Sequence, residues 1–331
     1  MILRTAGPFA FLALLSIAAI GVGSSWMPPD RVIAALFGQG ARMDEVIIWT
    51  LRMPRVLLAM LAGAALALAG LLLQRIVRNP IASPSVLGLV DGAAVGVVLF
   101  LFIFSNEANA LVVSIHWLPL AATLGAFGFA TLVAAVAARD LTQPARLILY
   151  GIAAAALAKA LVTVLIVLGP VYRASQALIW LAGSVHAAHW EDVAILAALF
   201  CLTIPLLIAI ARPMDQMLLD DQSAGSTGLA LNRTKLLALA LTVILTAAAV
   251  SFAGGLAFVG LLSPHIARAL VGLRMAALLV VTPVIGSAIV LGADILARTI
   301  AAPLELPTGA ITALVGAPYF FWLLLKEVRN G

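Results

Sequence analysis

Hydrophobic residues run in long unbroken blocks along this chain, and short polar connections separate the blocks. A typical block is VLLAMLAGAALALAGLLL at residues 56–73, where apolar and polar residues do not alternate. A helix that crosses a bilayer needs about 20 apolar residues, and only helices and closed barrels satisfy their backbone in lipid. Because the strands of a barrel would alternate, these blocks predict an all-α membrane protein.

The blocks predict about ten transmembrane helices in a single polytopic domain that covers residues 1–331. Their approximate limits are 8–26, 53–74, 84–104, 117–138, 146–169, 192–211, 235–253, 255–271, 276–297 and 308–325. The first block could also belong to a signal peptide. Its apolar run of about eighteen residues is long for such a signal, which favours an uncleaved first span.

The composition agrees with a membrane protein and narrows its partners. The chain is 64% hydrophobic and only 10% charged, whereas soluble domains carry about 25% charged residues. Its net charge of +5 is attributed to basic residues that lie at the membrane surface, next to lipid. No nucleic acid is therefore expected as a partner. The single cysteine, Cys201, excludes an internal disulfide.

The basic residues predict the orientation of the spans. With ten spans, both termini lie on one side, whose loops hold eleven Lys and Arg residues against six on the other side. Cytoplasmic loops carry an excess of Lys and Arg. The sequence therefore predicts a multi-pass protein of the bacterial cytoplasmic (inner) membrane with both termini in the cytoplasm.

Two arginines at the predicted outer side do not follow this bias. Arg52 and Arg55 bracket Pro54 in the segment LRMPR. Pro54 suits the first turn of a helix, which would place both cations at the positive end of a helix dipole. One interpretation is that the two side chains anchor the helix in the interface by snorkelling, and the other is that they serve a partner.

Several motifs, in order and with matching spacing, resemble those of one protein family. They are LRMPRVLLAMLAGAALALAGLLLQRIVRNPIASPSVLG, WLAGSVHAAHWED, GGLAFVGLLSPHIARALVG and ADILARTIAAPLELPTGAITALVGAPYFFWLLLK. The sequence resembles the FecCD/BtuC-type permeases of ABC importers, which take up iron–siderophores, haem and cobalamin. The RNPIASP portion is most similar to ferric-citrate-type subunits.

The resemblance implies an architecture and a set of partners. The expected fold is the type II ABC-importer permease fold, with two permease subunits, identical or paralogous, around one path. A cytoplasmic ABC ATPase dimer is expected below, and a periplasmic or lipid-anchored substrate-binding protein above. The family pattern implies that Arg52, Arg55 and Arg298 meet acidic residues of the binding protein.

The polar segment 211–235 between the sixth and seventh spans resembles the family's coupling segment, which contacts the ATPase. From the residues, Asp221 is predicted to cap a short helix and Gly228 to end it. The segment departs from the family pattern at Asp220 and Gln222, and a solvated loop is the alternative. The expected ATPase-coupling residues are Asp220, Asp221, Gln222, Ala224 and Gly228.

Ionisable residues inside spans usually face a cavity or pair with each other. Lys159 and Asp91 are such residues, and they are candidates for the translocation path. Their positions in the predicted spans differ in depth by about 9 Å, so a direct pair is not expected. Lys159 could instead snorkel or bind carbonyl groups. Asp294 is expected to pair with Arg298, four residues later.

The segment HAAHWED carries His186, His189, Glu191 and Asp192 on the predicted outer side. Histidines with nearby carboxylates can bind a metal. The interpretation preferred here is a solvated helix end, with a docking surface as the alternative. No metal, cofactor or catalytic residue is assigned.

Three functions compete for these features. A proton- or sodium-coupled transporter would favour carboxylates inside the spans, where only Asp91 stands out, and an intramembrane enzyme would need converging catalytic residues. None of the three lysines lies in a phosphate-binding G-x-x-x-x-G-K-[ST] motif, so ATP hydrolysis is expected on a separate subunit. The sequence therefore indicates a non-enzymatic permease subunit for an iron–siderophore or related metal chelate, the individual chelate remaining open.

Overall fold

The computed structural model describes residues 2–23, 26–106, 110–137, 144–169 and 171–330. In these ranges the chain is helical apart from loops and one isolated bridge between Ser105 and Leu111. The α-helices are α1 (Ile2–Gly21), α2 (Pro29–Leu36), α3 (Arg42–Val46), α4 (Met53–Val77), α5 (Leu89–Ile103), α6 (Leu118–Ala137), α7 (Pro144–Leu168), α8 (Val171–Ala182), α9 (Trp190–Gln216), α10 (Asp221–Ser226), α11 (Leu231–Ala253), α12 (Val259–Val271), α13 (Met275–Thr299) and α14 (Thr308–Asn330).

The predicted spans correspond to ten of these helices. Six helical stretches of the described chain are long and apolar enough to cross a membrane: Arg42–Val77, Ile115–Val136, Arg146–Leu168, Trp190–Gln216, Leu231–Ala253 and Met275–Thr299. Three shorter apolar helices, Ala6–Gly21, Leu89–Ile103 and Val259–Val271, match the first, third and eighth predicted spans, and α14 matches the last. The all-α, multi-span prediction is confirmed.

Helix α8 and the turns around it were not predicted. It contains polar residues such as Ser175 and Gln176, so no apolar block marks it in the sequence. A further difference lies before α4, where the π-helical turn Ile47–Arg52 joins α3 to α4 without a break. The predicted span start at residue 53 coincides with the start of α4, and Pro54 lies in its first turn. Because the helix continues backwards through the π-helical turn, Arg52 and Arg55 do not stand at the free helix N-terminus that was expected.

Helix α4 lies at the centre of the bundle. Most of its apolar stretch is buried inside the bundle, whereas most of the stretch that contains α6 lies at the surface of the isolated subunit. It packs on α9, α11, α12 and α13. A helix that is apolar on all sides suits such a position, because it has no face that prefers water.

Glycines allow α4 to touch its neighbours backbone to backbone. A Cβ atom added to Gly70 would lie 1.7 Å from the carbonyl oxygen of Gly260 in α12, and one added to Gly63 would lie 2.3 Å from that of Gly286 in α13. Small residues permit this approach where no hydrophobic force drives helices together in lipid.

A second glycine contact joins three segments near the start of α14. The amide of Gly309 donates to the carbonyl of Gly183, which follows α8, at 2.9 Å. A Cβ atom added to Gly309 would lie 2.3 Å from the carbonyl oxygen of Gly255, in the turn after α11. The start of α14, the end of α8 and the α11–α12 turn therefore meet through close main-chain contacts.

The bundle has two ends, named here after the arginines they hold. At the Arg55 end, α1 finishes beside the start of α4, since Arg52 binds the carbonyl of Gly21. At the Arg78 end, α4 finishes beside the segment between α9 and α11, since Arg78 binds the carbonyl of Leu219. Pro8 of α1 and Tyr319 of α14 line one apolar groove with Leu270, so the start of α1 and the end of α14 lie toward the same end.

The contact of Gly70 with Gly260 yields a prediction about stability. Gly70→Ala forces a methyl group against a main-chain oxygen and should lower the free energy of unfolding by about 1–3 kcal/mol, the usual cost of overpacking. Thermal unfolding of the purified protein in detergent measures the loss. Gly128→Ala in α6 is the matched control, because a Cβ atom there would have no neighbour within 4 Å. Equal unfolding temperatures for the two variants would contradict the prediction.

Candidate functional site

The Arg55 end holds a cluster of charged side chains from four segments. The Nε and Nη2 atoms of Arg55 lie 2.9 and 2.8 Å from Oδ1 of Asp294 in α13. Its Nη1 atom donates to Oε2 of Glu305, in the loop between α13 and α14, at 2.9 Å. His186, in the loop between α8 and α9, places Nδ1 against the same Glu305 oxygen. One guanidinium therefore ties α4 to α13 and to the loop before α14.

Two further arginines close the end of α1. Arg298 donates from Nη2 to the carbonyl of Ala19 at 2.7 Å, and Nη1 of Arg52 donates to the carbonyls of Ile20 and Gly21 at 2.5 and 2.9 Å. The last carbonyls of a helix have no intrahelical partner and form the negative end of its dipole. Both cations therefore stand where a helix favours positive charge.

The expected local pair between Asp294 and Arg298 is present but is not the tightest contact of Asp294. Nε of Arg298 lies 3.5 Å from Oδ2 of Asp294, whereas Arg55 binds Oδ1 at under 3 Å. The sequence spacing pointed to the neighbour on the same helix. The stronger partner comes from a helix 239 positions away in sequence.

The three arginines expected to dock a partner are buried in the isolated subunit. The side chain of Arg55 is 8% exposed and that of Arg298 is 3% exposed, and Arg52 is also buried. Glu305 and His186 are more open, with side chains 26% and 62% exposed. The docking role stays a prediction. The structure adds that Glu305, which was not singled out in the sequence, covers Arg55 from outside.

The HAAHWED segment forms a capped helix start. The backbone amide of His189 donates to Oδ2 of Asp192 at 2.9 Å, and His189 is the N-cap residue of α9. Trp190 donates from Nε1 to the carbonyl of Trp49 at 2.7 Å, which ties α9 to the turn before α4. Within the described residues, no group of three or more His, Cys, Asp and Glu side chains is placed to hold a metal.

The Arg78 end holds a second charged network. Arg78 donates to the carbonyls of Met217 and Leu219 at 3.2 and 2.7 Å and to Oδ1 of Asp221 at 2.7 Å. The other oxygen of Asp221 accepts from Nζ of Lys235 at 3.0 Å. The end of α4, the start of α10 and the start of α11 are therefore joined through one carboxylate.

The short helix α10 lies within the predicted coupling segment, but its cap is not the predicted residue. Asp220, and not Asp221, is the N-cap, accepting from the amides of Gln222 and Ser223 at 3.1 and 2.9 Å. Asp221 is the first residue of the helix, and its carboxylate turns to Arg78 and Lys235 instead. Ala224 of α10 is buried. Gly228 follows the helix and has a φ of +82°, as expected of a residue that ends a helix.

These contacts lower the pKa of both carboxyls. Hydrogen bonds from Ser223 hold the pKa of Asp220 below its ordinary value. Partial burial raises the pKa of Asp221, but the hydrogen bond and charge of Lys235 and the charge of Arg78 outweigh it, so that pKa also lies below the ordinary value. Both groups therefore remain ionised at neutral pH, and their contribution to stability is lost only when acid protonates them.

Lys159 and Asp91 form a pair that the depth estimate did not predict. Nζ of Lys159 in α7 lies 4.0 Å from Oδ1 of Asp91 in α5. The reason is the 3-10 turn Pro84–Leu87, which lies beside α7: a Cβ atom on Gly151 would be 2.4 Å from the carbonyl oxygen of Val86. Helix α5 therefore starts deeper in the bundle than the sequence suggested. The side chain of Lys159 is 71% exposed on the surface of the isolated subunit.

The bundle, with apolar helices and charge networks at both ends, has the form of a multi-span transport permease. The FecCD transport family matches residues 11–326, and the chain belongs to this family.

Similar proteins cover almost the whole chain. A "Probable siderophore transport system permease protein", YfhA of Bacillus subtilis (strain 168), is 42% identical over 97% of this chain and 95% of its own. An Fe(3+)-citrate import system permease protein, YfmE of the same organism, is 38% identical over 96% and 93%. A solved structure described as an inward-facing metal-chelate type ABC transporter matches 98% of this chain and 100% of its own, with a TM-score of 0.87 and 29% identity. The fold and family expected from the motifs are confirmed.

Proposed function

We propose that this chain is the membrane permease subunit of an ATP-driven importer that carries a ferric chelate across the bacterial inner membrane. The observation that carries the proposal is the ion-pair network of Arg78, Asp221 and Lys235. This network fixes the short capped helix α10 to the end of the central helix α4. A polar helix held in this way at one end of an apolar bundle suits a connection to a motor protein. The named relatives, which carry siderophores or ferric citrate, support the substrate class.

The proposed complex has further members. An ABC ATPase dimer is proposed to bind the Arg78 end, and the excess of basic residues in the loops of that side supports a cytoplasmic location for it. A substrate-binding protein binds the Arg55 end, and a second permease subunit, identical or paralogous, completes the path inside the lipid bilayer. Both termini then lie in the cytoplasm, and ATP is hydrolysed on the separate ATPase subunits.

Reconstitution into sealed vesicles tests this function. Uptake should require ATP inside and the binding protein outside, without an ion gradient. Inserting two residues after Gly228, next to α10, should leave the subunit folded and abolish most ATP-driven uptake, because the helix loses its fixed position. The same insertion after Gly38, which lies at the other end with open space around it, is the control for ATPase coupling. Uptake driven by a proton or sodium gradient would contradict the proposal.

The docking role of Arg55 gives a second prediction. Arg55→Met should weaken binding of the substrate-binding protein by about thirty-fold or more, since removing one partner of a desolvated charge pair costs at least about 2 kcal/mol. The wild-type affinity should fall with salt, and that of the variant should fall less. Arg42→Met removes an exposed arginine from the same end and is the control.

Arg55→Met leaves Asp294 without its closest partner, which can destabilise the fold. The double variant Arg55→Met/Asp294→Asn removes that buried charge, and its unfolding temperature shows whether a loss of affinity is a loss of fold. Unchanged affinity and unchanged salt dependence in both variants would mean that the arginine only holds α4 to α13. Arg52 and Arg298 are proposed to act with Arg55 by keeping the cluster positive.

The exposure of Lys159 gives a third prediction. A charge near the middle of a span costs about 2.5–3.5 kcal/mol on insertion scales, so the face of α7 that carries it is proposed to line the path, together with Asp91. Lys159→Met should lower uptake of an anionic chelate several-fold without reducing assembly of the complex. Lys159→Arg, which keeps the charge, should retain most of the uptake. Normal uptake and improved assembly of Lys159→Met would show a tolerated charge without a role in transport.

A further inference from the structure

The two carboxylates on Arg55 differ in their access to solvent. Asp294 is fully buried in α13 and binds Nε and Nη2. Glu305 lies at the rim, 26% exposed, and binds only Nη1. The main chain after Glu305 is held by two hydrogen bonds, because the amide of Leu306 donates to the carbonyl of Ala297 at 3.0 Å and that of Gly309 to the carbonyl of Gly183 at 2.9 Å. Asp294 is a permanent partner, and Glu305 is the one that a neighbouring protein can reach.

The charges of the cluster show what would replace Glu305. Arg52, Arg55 and Arg298 lie beside two carboxylates, those of Asp294 and Glu305. The three arginines and two carboxylates of the cluster therefore carry a net charge of about +1, from the standard charges of these groups. Moving Glu305 away would raise that net charge to about +2. Only another carboxylate restores both the charge and the hydrogen bond to Nη1.

We propose that Glu305 is an internal occupant of the docking position on Arg55, and that an acidic side chain of the substrate-binding protein replaces it. This inference rests on the docking role proposed above. The exchange swaps one carboxylate for another, so the guanidinium is never left buried without a counter-charge. The occupant lowers the affinity for the partner, because only molecules whose Nη1 is vacated can bind.

The released loop has a direct connection to the helices below it. Glu305 lies three residues before the start of α14. Its carboxylate also contacts His186 and so holds the α8–α9 loop. When the partner takes Nη1, the carboxylate of Glu305 no longer ties the start of α14 to α4, whereas His186, whose Nδ1 lies 3.1 Å from the same Nη1, keeps its own contact with Arg55. Docking is thereby sensed by the start of α14 without a contact between the partner and that helix.

The test measures the affinity of the reconstituted complex for its substrate-binding protein. Glu305→Gln keeps the shape of the side chain and removes its charge, so it should raise the affinity about two- to five-fold, the range typical of a partly exposed ion pair. In the Arg55→Met background, Glu305→Gln should have no effect, because there is no guanidinium left to vacate. Glu191→Gln, an exposed carboxylate at the start of α9, controls for the general change in surface charge.

Other results would overturn the inference in recognisable ways. A loss of affinity in Glu305→Gln would mean that Glu305 positions Arg55 for the partner. A gain equal to that of Glu191→Gln, or one that persists in the Arg55→Met background, would mean that only the surface potential matters. Wild-type affinity in both Arg55→Met and Glu305→Gln would refute the docking role itself, which separates failure of the proposed function from failure of this inference.

Discussion

A charge inside an apolar bundle needs a counter-charge or a carbonyl group from the same chain, and this requirement organises the whole molecule. Arg55 meets it with Asp294 of α13, and Arg298 meets it with the carbonyl of Ala19 near the end of α1. At the opposite end the buried Arg75 of α4 meets it with the carbonyl of Leu273, in the turn between α12 and α13. Each of these contacts joins segments that are distant in sequence, so satisfying the charges also fixes the order in which helices surround α4.

Helix α4 connects the two charged networks, with Arg55 near its start and Arg78 directly after its end. Arg55 and Arg78 are separated by 23 positions, about 35 Å along a helix. Between them the helix is held by backbone contacts through Gly63 and Gly70, which leave no space for side chains to rearrange. A close-packed interface has few intermediate arrangements. These contacts therefore fix α4 against α12 and α13 along the stretch between its two charged networks.

Much of this architecture could be predicted from the chain itself. Unbroken apolar blocks are sufficient to find a helix in a bilayer, because the helix must satisfy its own backbone, and the motifs around Arg52 and Asp221 marked both polar ends. The features that could not be predicted depend on contacts between residues that are distant in sequence. No local pattern shows that Arg52 faces α1, or that Glu305 meets Arg55 across 250 positions.

Two local errors have equally physical causes. Either of two adjacent aspartates can cap α10, and Asp221 is drawn away by Arg78 and Lys235, which leaves the cap to Asp220. The 3-10 turn Pro84–Leu87 looks like the start of a transmembrane helix because it is apolar. It shifts α5 along α7, and that shift brings Asp91 to Lys159.

The meeting of Gly183, Gly255 and Gly309 has a consequence for how the Arg55 end is assembled. Helices usually lock together when side-chain ridges of one enter the grooves of the other, which fixes their angle. At this junction main chain touches main chain, with one hydrogen bond from Gly309 to Gly183. Such a joint fixes the distance between the segments but no helix angle, so the direction of α14 is set by its packing on α12 and α13. Any residue larger than glycine at the three positions would push the start of α14 away from α8 and from the α11–α12 turn.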